Sequence, residues 1–212
     1  VYDPAAAAAA SAEHRPAAII DVSVPAAPVA LADACVDAGV PLVVGTTGID
    51  EEQLSMLQEA SEEIPLLKAT NFSRGIQALR LALGAALEAL PNYDVELLET
   101  HHNRKRDAPS GTARSILADI ADHREFETVS GRDGIQPRED GEVGVLVRRA
   151  GDVRGEHEVM LAGNDEVLTI SHRAEDRGVF AAGAIDAAGW LTGRSPGLYE
   201  FGDVIAGEPT NG

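Results

Sequence analysis

Three short apolar runs, Ala18-Ile-Ile-Asp-Val22, Pro41-Leu-Val-Val44 and Leu66 to Ala69, alternate with stretches whose apolar positions recur at helical spacing. The runs are bounded by proline, glycine or polar residues and read as strands, the first of them buried. Between them, Val29 to Ala38 reads as a helix ended by Gly39. Asp50, with Gln53 three residues on, predicts a capping box for a helix to about Glu63. Strands alternating with helices predict a parallel, doubly wound sheet. Ser73 then opens a strong helix with Ile76, Leu79, Leu83, Leu87 and Leu90 on one face, stopped by Pro91. Val95 to Leu98 reads as a strand, and Ala113 to Ala121 as a helix. After a polar stretch, Arg124 to Gly141, the period changes. Val143, Val145 and Val147 alternate, and Glu156 to Leu161 and Val167 to Ser171 also read as strands. The short connections Gly151 to Gly155 and Gly163-Asn-Asp165 predict antiparallel hairpins. Val179 to Leu191 is a final helix with Phe180, Ala184, Ile185, Ala188 and Leu191 inward. At the other end, Asp3 and Pro4 read as N-cap and first position of a helix that runs on through Ala5 to Ala10, broken by Pro16, with a low-complexity linker as the alternative.

Composition narrows the class. The 212 residues suffice for one large domain or two small ones with a real core. Acidic residues outnumber basic ones 35 to 17, the formal net charge is -18, and the lysines are Lys68 and Lys105 alone. An acidic, lysine-poor surface suits a protein kept soluble in concentrated salt, where self-repulsion is screened, and points to a halophilic source. The same balance argues against nucleic acid and anionic membranes as partners. A single cysteine excludes an internal disulfide, and Cys35 falls in an apolar helical pattern that makes it a core residue. No apolar run approaches membrane-spanning length and no signal peptide is visible, so the cytoplasm is the expected location.

Against this acidic background one stretch is densely basic: Glu99-Thr-His-His-Asn-Arg-Lys-Arg-Asp-Ala-Pro-Ser-Gly-Thr-Ala113. It joins a strand to a helix, a place where a scaffold holds reactive groups toward a ligand. His101 can exchange a proton near neutral pH, and Lys105 can offset a developing anion. Ser110, Gly111 and Thr112 open the helix, where backbone N–H groups, hydroxyls and a glycine make an anion site. The stretch therefore predicts proton transfer on a small anion, with a carboxylate as the expected kind. A solvated basic loop with a simple helix cap is the plainer alternative; the lysine and helix start beside the two imidazoles favour chemistry. Gly45-Thr-Thr-Gly48 and Thr70-Asn-Phe72 fall at carboxyl ends of predicted parallel strands, where ligands bind in such sheets; on spacing alone, ordinary turns are an equally good reading. Arg148, Arg149 and Arg154 read as solvated surface, although one could face the ligand. His157 and His172 read as structural or interfacial. No Cys/His cluster has metal-ligand spacing, so no metal is expected.

The stretch from Glu99 to Ala113 resembles the E-x-H-H-x-x-K-x-D-x-P-S-G-T-A loop of the 4-hydroxy-tetrahydrodipicolinate reductase (dihydrodipicolinate reductase) family of lysine biosynthesis. Further matches follow in order at Gly45-Thr-Thr-Gly48, Asn71-Phe-Ser73, Arg149-Ala-Gly151, Gly155-Glu-His157 and His172 followed by Arg177. The long loop motif is specific; the short ones alone are not. The resemblance implies an α/β fold: a partial doubly wound, Rossmann-like parallel sheet with an inserted α+β domain on an open, largely antiparallel sheet. It implies a dinucleotide-binding domain at residues 1–73 and 178–212 and a substrate-binding and oligomerisation domain at 74–177. It further implies NADPH- or NADH-dependent reduction of a cyclic dicarboxylate, with His101 as acid and Lys105 as its partner. By the same resemblance His102, Ser110, Gly111 and Thr112 hold a carboxylate; Gly45, Thr46, Thr47, Ala69, Thr70, Asn71 and Phe72 line the nicotinamide; and the chain forms a homotetramer. Members of the family open with a strand and a glycine-rich turn for the pyrophosphate. The first glycine here is Gly39, so the expectation is that this upstream piece is missing from the sequence and that the chain as it stands holds the dinucleotide weakly. Two other functions fit the residues: another two-domain amino-acid dehydrogenase, or a non-catalytic anion-binding or assembly module.

Overall fold

The computed structural model describes residues 15–206. The helix expected over Asp3 to Ala10 lies outside them. The chain divides into two compact units, Val1–Ser73 with Gly178–Gly212, and Arg74–Arg177.

The first unit is built on a four-stranded, all-parallel sheet in the order β1 (Ile19–Asp21), β2 (Leu42–Val44), β3 (Pro65–Lys68), β9 (Gly197–Tyr199). Alternate residues of the two central strands, β2 and β3, enter different cores; the edge strands do not, and the stretch 18–22, expected to be buried, leaves Ile20 and Val22 exposed, as β9 leaves Leu198. Leu42, Val44 and Leu66 pack with Leu31 and Cys35 of α1 (Pro28–Ala38) and Leu57 of α2 (Glu51–Ser61). Val43 and Leu67 pack with Phe72, with Ala184, Ala187 and Leu191 of α5 (Gly178–Leu191), and with Phe201 of α6 (Phe201–Ala206). Local signals work as chemistry requires. Gly39 closes α1 in the left-handed region at φ 61°. In α2, Asp50 accepts from the Gln53 N–H at 2.8 Å while the Gln53 side chain accepts from the Asp50 N–H at 3.1 Å. Cys35 is buried, which pushes its thiol up to about 12. Strand β9 and helix α6 were not expected from the sequence. Of the residues of α5 expected to face inward, Ala184 and Leu191 are buried and Ala188 packs on the same core, but Ile185 is 65% exposed and Gly183 and Ala187 are buried as well. An almost wholly apolar helix offers no unique stripe, and the smallest residues, which allow the closest approach, decide the face.

The second unit carries a mixed sheet in the order β5 (Glu127–Ser130), β6 (Glu142–Arg149), β4 (Asp94–His101), β7 (Glu156–Gly163), β8 (Glu166–Arg173). The β5–β6 and β6–β4 pairings are parallel, and β4–β7 and β7–β8 are antiparallel, so the sheet is less antiparallel than expected. One expected hairpin forms: β7 and β8 turn through Asn164 and Asp165, both at positive φ as a tight two-residue turn demands. The other does not. Gly151 to Gly155 joins β6 to β7, but β4 lies between them. Helices α3 (Arg74–Ala89) and α4 (Gly111–Ala121) cover one face, with Leu79, Leu83, Ile116 and Ile120 packed on Val95, Leu97, Val143 and Val159. Leu146, Val167 and Leu168 are exposed.

Candidate active site

Strand β4 turns the core into a site. Its inward alternation runs Val95, Leu97, Glu99, His101 and so continues from apolar side chains into two ionisable groups at the carboxyl end, where Thr100 on the other face is buried as well. Glu99 is 0% exposed and His101 9%. A carboxylate at such depth must be paired. Glu99 Oε1 accepts from the Ser110 N–H at 3.1 Å and from Arg149 at 3.0 Å. Oε2 faces His101 Nδ1 at 3.3 Å and His157 Nε2 at 3.8 Å. His157 arrives on β7, directly opposite Glu99 in the antiparallel register. Its ring meets that of His101 edge-on, with centroids 5.2 Å apart.

Burial alone would raise the Glu99 carboxyl, but His101, Ser110 and Arg149 outweigh it and hold it down at about 2. His157 moves down to about 4, because burial and the neighbouring His101 outweigh the pull of Glu99. The pair is therefore carboxylate and neutral imidazole across the working pH range. Gly155 makes room for this arrangement: at φ 153°, a Cβ there would lie 3.2 Å from His101 Nε2.

The loop residues expected to carry the chemistry surround this cluster. His102 is pushed down by burial and then by Arg104, Arg177, His101 and Lys105, a convergence of positive charge that favours a bound anion. Lys105 Nζ lies 2.9 Å from Asp107 Oδ1, so its charge is held by a carboxylate. Ser110 caps α4, its Oγ accepting from the Ala113 N–H at 3.1 Å and lying 3.2 Å from His157 Nε2. The cap and the cluster thus engage the hydroxyl expected to hold a carboxylate. Gly111 and Thr112 form the first turn of α4, and a Cβ at Gly111 would meet no described atom within 4 Å.

Arg149 departs from the expectation of solvated surface. It bridges Glu99 and the Asp107 carbonyl, the latter at 2.7 Å, and so ties the loop to the sheet. Arg148 donates to Thr100 Oγ1 at 3.0 Å, and Arg154 is exposed. Sequence reasoning gave Glu99, Arg149 and His157 no catalytic-site role. The available signal was a charged residue continuing the inward alternation of a strand. Nor did sequence spacing show that Glu99, His101 and His157 gather at one point, with a donor atom of each within 4.8 Å of the others.

In the first unit the expected nicotinamide residues occupy loops at the carboxyl ends of β2 and β3. Gly45 lies where a Cβ would come 2.8 Å from Phe72 and 3.0 Å from Val22, so the two loops touch. Thr46 Oγ1 donates to Asp21 Oδ2 at 2.5 Å and accepts from the Ser23 N–H at 2.8 Å, joining the β1 and β2 ends. Thr47 and Thr70 are exposed, Ala69 and Asn71 are half-buried, and Phe72 is buried with its ring edge-on to Phe201 at 5.3 Å.

Comparison with known proteins decides the lineage. Residues 3–72 match the family described as dihydrodipicolinate reductase, N-terminus, and residues 75–205 match dihydrodipicolinate reductase, C-terminus. The chain belongs to the dihydrodipicolinate reductase family. It is an enzyme of this oxidoreductase family, in the diaminopimelate route to lysine. The 4-hydroxy-tetrahydrodipicolinate reductase of Haloarcula marismortui is 64% identical over 205 residues, covering 97% of this chain and 82% of that protein. The reductase of the same name from Natronomonas pharaonis is 57% identical over 191 residues, covering 89% and 77%. These relatives from halophilic archaea fit the acidic composition. A dipicolinate-bound dihydrodipicolinate reductase from Paenisporosarcina sp. TG-14 shares the fold, with a TM-score of 0.75 at 23% identity over 91% of this chain and 74% of its own. Among the described residues no helix is long and apolar enough to cross a membrane.

Proposed function

We propose that the chain reduces 4-hydroxy-tetrahydrodipicolinate to tetrahydrodipicolinate with NADPH or NADH, and that its second unit binds the dicarboxylate and protonates it. The observation that carries this reading is the convergence of His101, His102, Lys105 and the first turn of α4 beside a buried, ionised Glu99. When bound, the nicotinamide supplies the hydride. The chain's part is the proton and the anion site. His101 delivers the proton to the ring carbon that gains negative charge, and Glu99 at its Nδ1 side stabilises the protonated imidazole. Lys105, released from Asp107 by the substrate anion, faces the developing charge. His102, Thr112 and the N-terminal end of α4 hold a carboxylate through charge and the helix dipole, with Gly111 leaving room for close approach. Ser110 contributes through the cap and through His157.

The loops 45–47 and 69–72 fit an uncharged nicotinamide. They stand at the ends of parallel strands, they are small or apolar, and Thr46 is already fixed by Asp21 and Ser23. The exposed apolar residues Leu146, Val167 and Leu168 support a homotetramer built through the second sheet. The acidic surface and the absence of a membrane-crossing helix among the described residues fit a cytoplasmic protein without nucleic-acid or membrane partners. The test is a spectrophotometric assay of NADPH and NADH oxidation with enzymatically generated 4-hydroxy-tetrahydrodipicolinate in concentrated KCl. Substrate-dependent oxidation, inhibited competitively by dipicolinate, is the expected result. Equal turnover of open-chain imino acids would favour a general amino-acid dehydrogenase, and dicarboxylate binding without turnover an anion-binding module.

A further inference from the structure

Glu99, His101 and His157 offer more than a proton relay. Neighbouring donors in a tetrahedral zinc site, with bonds of about 2.0–2.1 Å, stand about 3.4 Å apart. Here Glu99 Oε2 stands 3.3 Å from His101 Nδ1 and 3.8 Å from His157 Nε2. All three side chains are buried, and Glu99 Oε2 and His101 Nδ1, facing each other at 3.3 Å, make no well-aligned hydrogen bond to each other or to another described residue. A fully buried carboxylate oxygen is normally satisfied. This one is aimed at two imidazole nitrogens, an arrangement that a cation would complete.

We propose that Glu99, His101 and His157 form a site for one divalent transition-metal ion of the zinc type, and that filling it withdraws His101 from proton transfer. Two nitrogens and one oxygen suit zinc better than calcium or magnesium, which take oxygen ligands. Arg149 and the Ser110 N–H fix the other carboxylate oxygen, as an outer shell orients a metal ligand. The ion would take the His157 nitrogen that now faces Ser110, whose hydroxyl keeps its cap on the Ala113 N–H. The fourth position opens at His101, the most exposed of the three side chains. Arg149, 3.0 Å from the other Glu99 oxygen, and the charge of Lys105 both weaken the hold on a cation, so tight structural-zinc affinity is not expected. The binding claim stands on geometry alone; the inhibition rests on the proposed role of His101.

The experiment titrates chelator-treated protein with Zn²⁺ against a chromophoric indicator near neutral pH, follows Co²⁺ by its visible spectrum, and measures reductase turnover at the same metal concentrations. One ion is expected to bind with a micromolar dissociation constant. Binding should weaken by about a hundredfold or more in Glu99→Gln, His157→Asn and His101→Asn, and stay unchanged in His123→Asn, an exposed histidine bonded to the Gly84 carbonyl. His101→Asn, at the exposed edge, keeps the test decisive if the two deeper variants fold poorly. Wild-type protein that binds no tighter than about millimolar, or a His101→Asn variant that binds as wild type, overturns the site. Binding that needs all three residues but leaves turnover intact keeps the metal site and removes His101 from proton transfer.

Discussion

Gly183 lies on the buried face of α5, where a methyl group has no room. A Cβ there would fall 1.8 Å from the Phe72 carbonyl oxygen, 2.9 Å from its carbonyl carbon and 3.1 Å from Phe201 Cζ. The obstacle is backbone, and it is pinned: the Phe72 ring packs edge-on against Phe201, and the Ser73 N–H is held by Asn71 Oδ1 at 2.8 Å. Either the carbonyl retreats by more than an ångström or α5 lifts off the sheet. Gly189 in the same helix is the internal control, since it is exposed and a Cβ there meets no described atom within 4 Å. Alanine improves helix propensity at both positions by about 1 kcal/mol. At Gly189 that gain stands alone, so Gly189→Ala should stabilise by about 0.5–1 kcal/mol. At Gly183 it is opposed by overpacking against fixed backbone, about 3 kcal/mol or more, for a net loss of roughly 2 kcal/mol or more. Urea unfolding of both variants beside the wild type, at one high salt concentration, measures this directly. Phe72 belongs to the proposed nicotinamide loop, so Gly183→Ala should also raise KM for the nucleotide. A Gly183→Ala variant as stable as the wild type would refute the close packing of α5 on this loop.

Three other outcomes are expected. Lys105→Arg should be poorly active because arginine keeps the charge but not the compact ammonium or its titratable proton, whereas Lys68→Arg should be nearly silent; full activity of Lys105→Arg would mean that the residue only neutralises charge. His157 titrates near 4 in the fold against an ordinary 6.5, so the unfolded chain takes the proton first. Stability should be complete above pH 6.5 and fall by up to about 3 kcal/mol toward pH 4, a slope that His157→Gln should flatten in urea titrations; parallel curves for the two proteins would contradict it. With 35 acidic and 17 basic residues, the melting temperature should rise as KCl goes from about 0.1 M toward 1 M, where the Debye length falls to about 3 Å, and a flat response would count against a salt-adapted surface.

Much of the fold was legible where one local signal sufficed. The capping box of Asp50 and Gln53, the stop at Gly39 and the buried strands β2 and β3 each follow from a few neighbouring residues. Features set by tertiary context were not. β5 carries the mostly exposed Glu127-Thr-Val-Ser130 and shows no alternation to read. The α5 face was legible at Ala184, Ala188 and Leu191 but not at Ile185, because the helix is apolar nearly all round. The connection Gly151 to Gly155 is as short as a hairpin loop, yet β4 inserts between the strands it joins. The candidate site divides the same way. His101, His102 and Lys105 are close in sequence and announce themselves. His157 comes into place by the β4–β7 register, and Arg149 through its position opposite His101 on β6; neither relation is encoded in local spacing.

The central claim is that His101 protonates the reduced ring while its loop neighbours hold the carboxylate. Its most direct test is the steady-state kinetics of His101→Gln beside the wild type and His102→Gln, with enzymatically generated 4-hydroxy-tetrahydrodipicolinate and saturating NADPH. A lost proton donor should lower kcat by roughly a hundredfold or more with little change in substrate KM, and His102→Gln should mainly raise KM. Equal and small effects of the two substitutions would contradict the assignment.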